Sequence, residues 1–75
     1  MKYQYKYCVY YNNMCMGIQF IKAFETLSRA LMYKHDIEMS GRGCCDVVKK
    51  RFLQGDNKPL YNYSYDNYKY SEYDL

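Results

Sequence analysis

The sequence predicts an α+β fold, in which a mainly antiparallel sheet of three or four strands packs against one long amphipathic helix, with a short second helix. Residues 2–11 alternate between aromatic and polar side chains, whereas residues 14–33 carry apolar side chains at helical spacing. A chain of 75 residues has room for one hydrophobic core. We therefore expect residues 1–75 to form a single small domain with the element order β-α-β-α-β-β.

The first strand is predicted over residues 2–11. Its odd positions from 3 to 11 carry four tyrosines and a valine, and its even positions from 2 to 8 carry two lysines, a glutamine and a cysteine. This period of two is typical of a strand with one aromatic face and one polar face.

The long helix is predicted over residues 14–33, with Asn13 as its N-cap. Its apolar face is formed by residues that fall within one half-turn of a helical wheel: Met16, Phe20, Ala23, Phe24, Leu27, Ala30 and Leu31. Phe24 and Leu27 lie near the middle of this face, so we expect them in the core.

Two shorter elements follow. Residues 34–40 alternate again, which favours a strand, although a continuation of the helix fits the same residues. Gly41 and Gly43 indicate a turn. Residues 44–53 gather four apolar side chains on one side of a helix, while a strand returning from the turn is the alternative.

The C-terminal region is predicted as a tyrosine-rich hairpin or strand over residues 60–73. Tyr61, Tyr63 and Tyr65 occupy odd positions, whereas Tyr68 and Tyr70 occupy even ones, and a two-residue turn at Asp66-Asn67 explains the switch. A single bulged strand and a disordered tail remain alternatives.

Charge and composition narrow the classes of function. The net charge is +3, with five bases and one acid in residues 1–34 but two bases and four acids in residues 54–75. The chain is therefore not a polycation, and we expect only weak non-specific binding of nucleic acid through charge alone. No apolar run is long enough to span a membrane, and the first fifteen residues lack the apolar core of a secretory signal. We expect a cytoplasmic protein with no membrane partner.

The sequence contains no recognised motif for catalysis or for cofactor binding. His35 is the only histidine, and the spacing of Cys8, Cys15, Cys44 and Cys45 contains no CxxC pair. The cysteines are expected to act as small buried hydrophobes. We predict that the protein is not an enzyme and takes neither a metal nor another cofactor.

The candidate anion site is formed by Gly41, Arg42 and Gly43, because they precede the predicted second helix. Backbone amides at a helix N-terminus attract phosphate groups, and the Arg42 guanidinium adds a charged fork. A plain turn between two elements is the simpler interpretation.

Function is predicted to be binding. The residues expected to contact a partner protein combine tyrosines with carboxylates: Tyr61, Tyr63, Tyr65, Asp66, Tyr68, Tyr70, Glu72, Tyr73 and Asp74. Residues with A/T-rich codons (Phe, Tyr, Met, Ile, Asn, Lys) number 36, against 10 with G/C-rich codons (Gly, Ala, Arg, Pro). The bias indicates an A/T-rich genome, and very small proteins from such genomes are often phage or mobile-element products. We therefore predict a protein that blocks a host nucleic-acid-handling or defence protein in the host cytoplasm.

Two other classes of function remain open. Bases of a nucleic acid can stack on a tyrosine and lysine face formed by Lys2, Tyr5, Lys6 and Tyr7. Alternatively, the chain assembles with copies of itself as a structural component.

Overall fold

The structure, a computed structural model, describes residues 2–13 and 15–75. Its elements are, in chain order, strand β1 (Tyr3–Asn13), strand β2 (Gly17–Phe24), helix α1 (Leu27–Met39), strand β3 (Cys44–Leu53) and a 3₁₀ turn (Glu72–Asp74).

The three strands form one antiparallel sheet in the order β2-β1-β3. The predicted first strand is confirmed, and it is the central one. Tyr7 pairs with Phe24 of β2 and with Lys49 of β3. The register with β2 shifts between Val9 and Tyr10, where a bulge interrupts the ladder.

Helix α1 covers one face of the sheet, which we call the helix face. There Val9, Cys45 and Val47 pack with Ala30 and Leu31 of the helix. The opposite face has a second buried cluster made of Cys8, Tyr10, Val48 and Phe52. Because side chains alternate along a strand, successive residues of β1 and β3 supply the two clusters in turn.

The α+β class is confirmed as a three-stranded antiparallel sheet with one helix, but the prediction of a helix over residues 14–33 is wrong for most of its length. Gly17–Phe24 is strand β2, and the helix begins only at Leu27. The Thr26 side chain caps it by accepting from the Arg29 N–H at 3.3 Å. Met14, where the helix was expected to begin, lies outside the described residues.

The strand predicted over residues 34–40 is also wrong, because helix α1 continues to Met39. The Lys34 Nζ and Glu38 Oε1 atoms lie 2.9 Å apart, a pairing of residues i and i+4 that stabilises a helix. Ser40 forms the C-cap, and its N–H donates to the carbonyl of Asp36.

Residues 44–53 form strand β3 and not the predicted short second helix. Pairing with β1 along its whole length gives Cys45 and Val47 to one face and Val48 and Phe52 to the other. The apolar residues at positions 44, 45, 48 and 52 also fit one side of a helix. A strand buried on both faces of the sheet explains better why the neighbours Val47 and Val48 are both buried.

The tyrosine-rich hairpin or strand predicted over residues 60–73 does not form. That region follows an irregular path, with one isolated antiparallel bridge between Val47 and Tyr70 and the 3₁₀ turn near its end.

Candidate functional site

Residues 60–75, the C-terminal segment, run along the outer edge of strand β3. The Leu60 N–H donates to the Arg51 carbonyl at 2.9 Å, and the Tyr70 N–H donates to the Val47 carbonyl at 2.8 Å. Between them, the buried ammonium of Lys50 donates to the Asn62 carbonyl at 3.0 Å. The segment therefore covers an edge that would otherwise present unpaired backbone groups.

Two of its tyrosines anchor the segment, one on each face of the sheet. Tyr63 packs on Tyr10 with ring centroids 5.0 Å apart, and its hydroxyl donates to the Asp46 carboxylate at 2.8 Å. Burial and this carboxylate raise the pKa of Tyr63 to about 12. On the helix face, Tyr70 packs edge-on against Tyr7 at 5.5 Å. These two predicted partner-binding residues thus contribute to packing.

The other tyrosines of the segment are directed to solvent, and we call them the outer tyrosines. Their exposed fractions are 55% for Tyr61, 82% for Tyr65, 64% for Tyr68 and 91% for Tyr73. Local contacts hold some of them in place: Tyr65 packs edge-on against Tyr63 at 6.1 Å, and the Tyr68 hydroxyl donates to Asp74 at 2.8 Å. Sequence parity alone could not separate outer from anchoring tyrosines.

The three predicted carboxylates of the segment differ in their surroundings. Asp74 accepts from the Ser71 N–H at 2.7 Å and from the Tyr68 hydroxyl, and these hydrogen bonds lower the pKa of its carboxyl. The carboxylates of Asp66 and Glu72 are exposed, and within the described residues neither forms an ion pair or a side-chain hydrogen bond. Asp66 and Glu72 are therefore the charges available to a partner.

The predicted nucleic-acid face is not brought together as expected. Tyr5 and Tyr7 lie on the helix face, whereas the Lys6 ammonium lies 5.2 Å from the Phe52 ring on the opposite face and 3.6 Å from Glu25. Lys2 precedes β1 and is exposed. The cation beside Tyr5 and Tyr7 is instead Lys49 of β3, a segment for which the sequence predicts a helix.

The predicted anion site loses the helix N-terminus on which it rested. Gly41, Arg42 and Gly43 lie between the C-terminus of α1 and strand β3, and both glycines have positive φ (78° and 129°). The Arg42 carbonyl accepts a hydrogen bond from the Tyr11 hydroxyl. A Cβ at position 43 would meet that hydroxyl at 2.7 Å, so this turn needs a glycine.

A groove of about 550 Å³ opens on the face opposite the helix. Aromatic side chains dominate its walls, which include Tyr10, Phe20, Tyr63 and Tyr65, and Lys58 is the charged residue among them. Tyr10 is buried, and its hydroxyl has no hydrogen-bond partner in the described part of the chain.

The four cysteines are free thiols. Burial raises the pKa of Cys8 to about 12, in spite of the nearby Lys50 and Lys6 ammonium groups, and it also raises the pKa of Cys45. Both thiols are therefore poor nucleophiles and metal ligands at neutral pH. Among residues 2–13 and 15–75 no group of three or more His, Cys, Asp or Glu side chains is arranged to hold a metal ion.

Comparison with known proteins gives no relative: the chain matches no protein-family model, no curated protein and no solved structure. None of the helices described here has the length and hydropathy required to cross a membrane.

Proposed function

We propose that this chain is a non-enzymatic binding protein whose outer tyrosines contact a partner protein. The observation that carries the proposal is the exposure of Tyr65, Tyr68 and Tyr73, each at least 64% exposed, on a segment that hydrogen bonds attach to the sheet. Large exposed aromatic groups in one region are typical of an interaction site.

The attachment of the segment favours tight binding. A tyrosine contributes a large contact area at a low cost in side-chain entropy. The anchors Tyr63 and Tyr70 fix the backbone of the segment that carries the outer tyrosines. The backbone therefore loses little further conformational entropy when a partner binds.

The free carboxylates of the segment indicate the charge of the partner. Asp66 and Glu72 place negative charge among the outer tyrosines, which steers the segment toward a basic surface. A groove that holds a nucleic acid is a basic surface of this kind. The partner class we propose is therefore a nucleic-acid-handling or defence protein of a host cell, whose groove the segment would occupy.

Affinity capture with point variants tests this proposal. Wild type, a Tyr65→Ala/Tyr68→Ala/Tyr73→Ala variant and a matched Tyr3→Ala variant are immobilised, and proteins retained from a lysate of the native host are quantified by mass spectrometry. Point variants are preferable to truncation, because removing residues 66–75 would also remove the Tyr70 anchor on Val47.

We expect at least one host protein to be retained by wild type and Tyr3→Ala but lost from the triple variant. Equal retention by all three proteins would contradict the proposal. Light scattering on wild type tests self-assembly separately: a concentration-dependent oligomer that the triple variant cannot form would assign the outer tyrosines to contacts between copies of this chain.

A further inference from the structure

A second exposed aromatic surface lies on the helix face, beyond the part that helix α1 covers. The helix packs on the half of the sheet around Val9, Cys45 and Val47. The other half displays Tyr3 and Tyr5 of β1, which are 51% and 59% exposed. We call this surface the tyrosine–cation patch; its members are Tyr3, Tyr5, Lys49, Arg51 and Tyr61.

Cations and rings alternate across the two strands of the patch. The Lys49 ammonium lies 5.3 Å from the centroid of the Tyr5 ring and 5.9 Å from that of Tyr7. The Arg51 guanidinium lies 4.8 Å from the Tyr3 ring and 5.2 Å from the Tyr61 ring. Cation–π contacts at these distances hold the cationic groups at the surface between the rings.

The positive charge of the patch is not neutralised within the described residues. Three other lysines of the chain are paired with carboxylates: Lys6 with Glu25, Lys34 with Glu38 and Lys69 with Asp46. Neither Lys49 nor Arg51 has such a partner there. The patch therefore offers two cations, side by side on one strand, to an external anion.

We infer that the tyrosine–cation patch binds single-stranded nucleic acid. Exposed rings on alternate residues of a strand, about 6.8 Å apart, provide successive stacking positions for unpaired bases. The ammonium and guanidinium groups between them attract the backbone phosphates. A duplex presents its bases to each other and not to such rings, so the rings favour a single strand over a duplex. This inference does not depend on the proposed function of the C-terminal segment.

Fluorescence anisotropy with purified full-length protein tests the inference. The probe is a fluorescein-labelled oligothymidylate of about 12 nucleotides, within the usual site size of stacking surfaces. The variants are Tyr5→Ala, Tyr5→Phe and Lys49→Gln. The matched controls are Tyr65→Ala and Lys58→Gln, since both residues line the groove on the opposite face. Circular dichroism of each variant verifies its fold.

We expect wild type to bind the probe, with an affinity that decreases between about 50 and 200 mM salt. Tyr5→Ala should bind roughly 5- to 150-fold more weakly, the loss that corresponds to one stacked base, while Tyr5→Phe keeps the affinity of wild type. Lys49→Gln should reduce the slope of log affinity against log salt by about 0.7. Both controls should bind like wild type or nearly so.

Three results would overturn the inference. One is the absence of binding at low salt with about 100 µM protein, the weak limit of non-specific affinity. Another is equal affinity for a duplex of the same length. The third is a loss of binding in the groove controls that matches the loss in Tyr5→Ala and Lys49→Gln. The Lys49→Gln comparison remains decisive if Tyr5→Ala fails to fold, because Lys49 is exposed.

Discussion

The backbone N–H of Tyr70 donates to the carbonyl of Val47 at 2.8 Å, which joins the C-terminal segment to the outer edge of β3. Val47 is fully buried beneath helix α1, and the Tyr70 ring packs against the same cluster and against Tyr7. The segment is therefore part of the folded structure, and the tyrosines that anchor it are different from those that we propose to contact a partner.

Tyr70→Ala should lower the free energy of unfolding by about 2 kcal/mol, less than the 3–5 kcal/mol of a fully buried aromatic residue because Tyr70 is only partly buried. Tyr73→Ala is the matched control: its ring is exposed, so we expect a change within about 0.5 kcal/mol. Urea unfolding of both variants measures the difference, and equal stabilities would show that Tyr70 does not anchor the segment.

Phe52→Ala should be among the most destabilising substitutions, at about 3–5 kcal/mol, because the Phe52 ring is fully buried on the face opposite the helix. Phe24, which the sequence placed at the centre of the core, is only partly buried at the end of β2. Phe24→Ala should therefore cost less. Thermal melts of the two variants rank them, and the reverse order would contradict this assignment of the core.

Local pattern predicted strand β1 because the alternation of side chains over residues 2–9 fits no helix. It failed for β2, since the apolar residues from Met16 to Phe24 fit both a helical wheel and a strand, and pairing with β1 decides between them. This pairing depends on residues distant in sequence, and such tertiary contacts override the local preference of a segment for helix or strand. The Thr26 cap is the local signal that would have placed the start of the helix correctly.

The candidate sites, too, depend on contacts that local sequence pattern does not reveal. The sequence singled out the tyrosines of the C-terminal segment but could not tell Tyr63 and Tyr70, which pack against the buried clusters, from Tyr65 and Tyr73, which are exposed. It also paired Tyr5 with Lys6, a neighbour in sequence that lies on the other face of β1. Lys49 could be found beside Tyr5 only once residues 44–53 were known to be a strand.

Glu38 should make stability depend on pH. Although burial opposes ionisation, hydrogen bonds from Lys34 and from the Cys45 N–H hold the pKa of its carboxyl below the ordinary 4.5. The folded state then binds this proton less tightly than the unfolded chain does. The stabilisation is therefore complete above about pH 4.5 and is lost as the pH falls through the folded-state pKa.

Glu38→Gln should lower the free energy of unfolding at pH 7 by about 1 kcal/mol. We expect a loss of only this size because the Glu38 side chain is about one third exposed, so that solvent screens its charge. The difference from wild type should shrink as the pH falls below 4.5. Urea unfolding across that range measures it, and a difference that stays constant with pH would rule out the carboxylate as its source.

The thiols should fall into two classes of reactivity. Cys15 and Cys44 are exposed, whereas Cys8 and Cys45 are buried and burial raises the pKa of both. A thiol reagent at neutral pH should modify the first pair rapidly and the second pair only after unfolding. Mass spectrometry of the native protein counts the labels, and rapid modification of Cys8 would contradict the burial of the β1 core.

The most direct test of the account is the affinity of a purified captured partner for two variants of one segment, Tyr68→Ala and Tyr70→Phe. Tyr68 is an outer tyrosine, whereas Tyr70→Phe keeps the packed ring that anchors the segment. We predict that Tyr68→Ala weakens binding at least fivefold, equivalent to about 1 kcal/mol, with stability almost unchanged, while Tyr70→Phe binds like wild type. Full affinity in Tyr68→Ala, and likewise in Tyr65→Ala and Tyr73→Ala, would contradict the claim that the outer tyrosines form the binding surface.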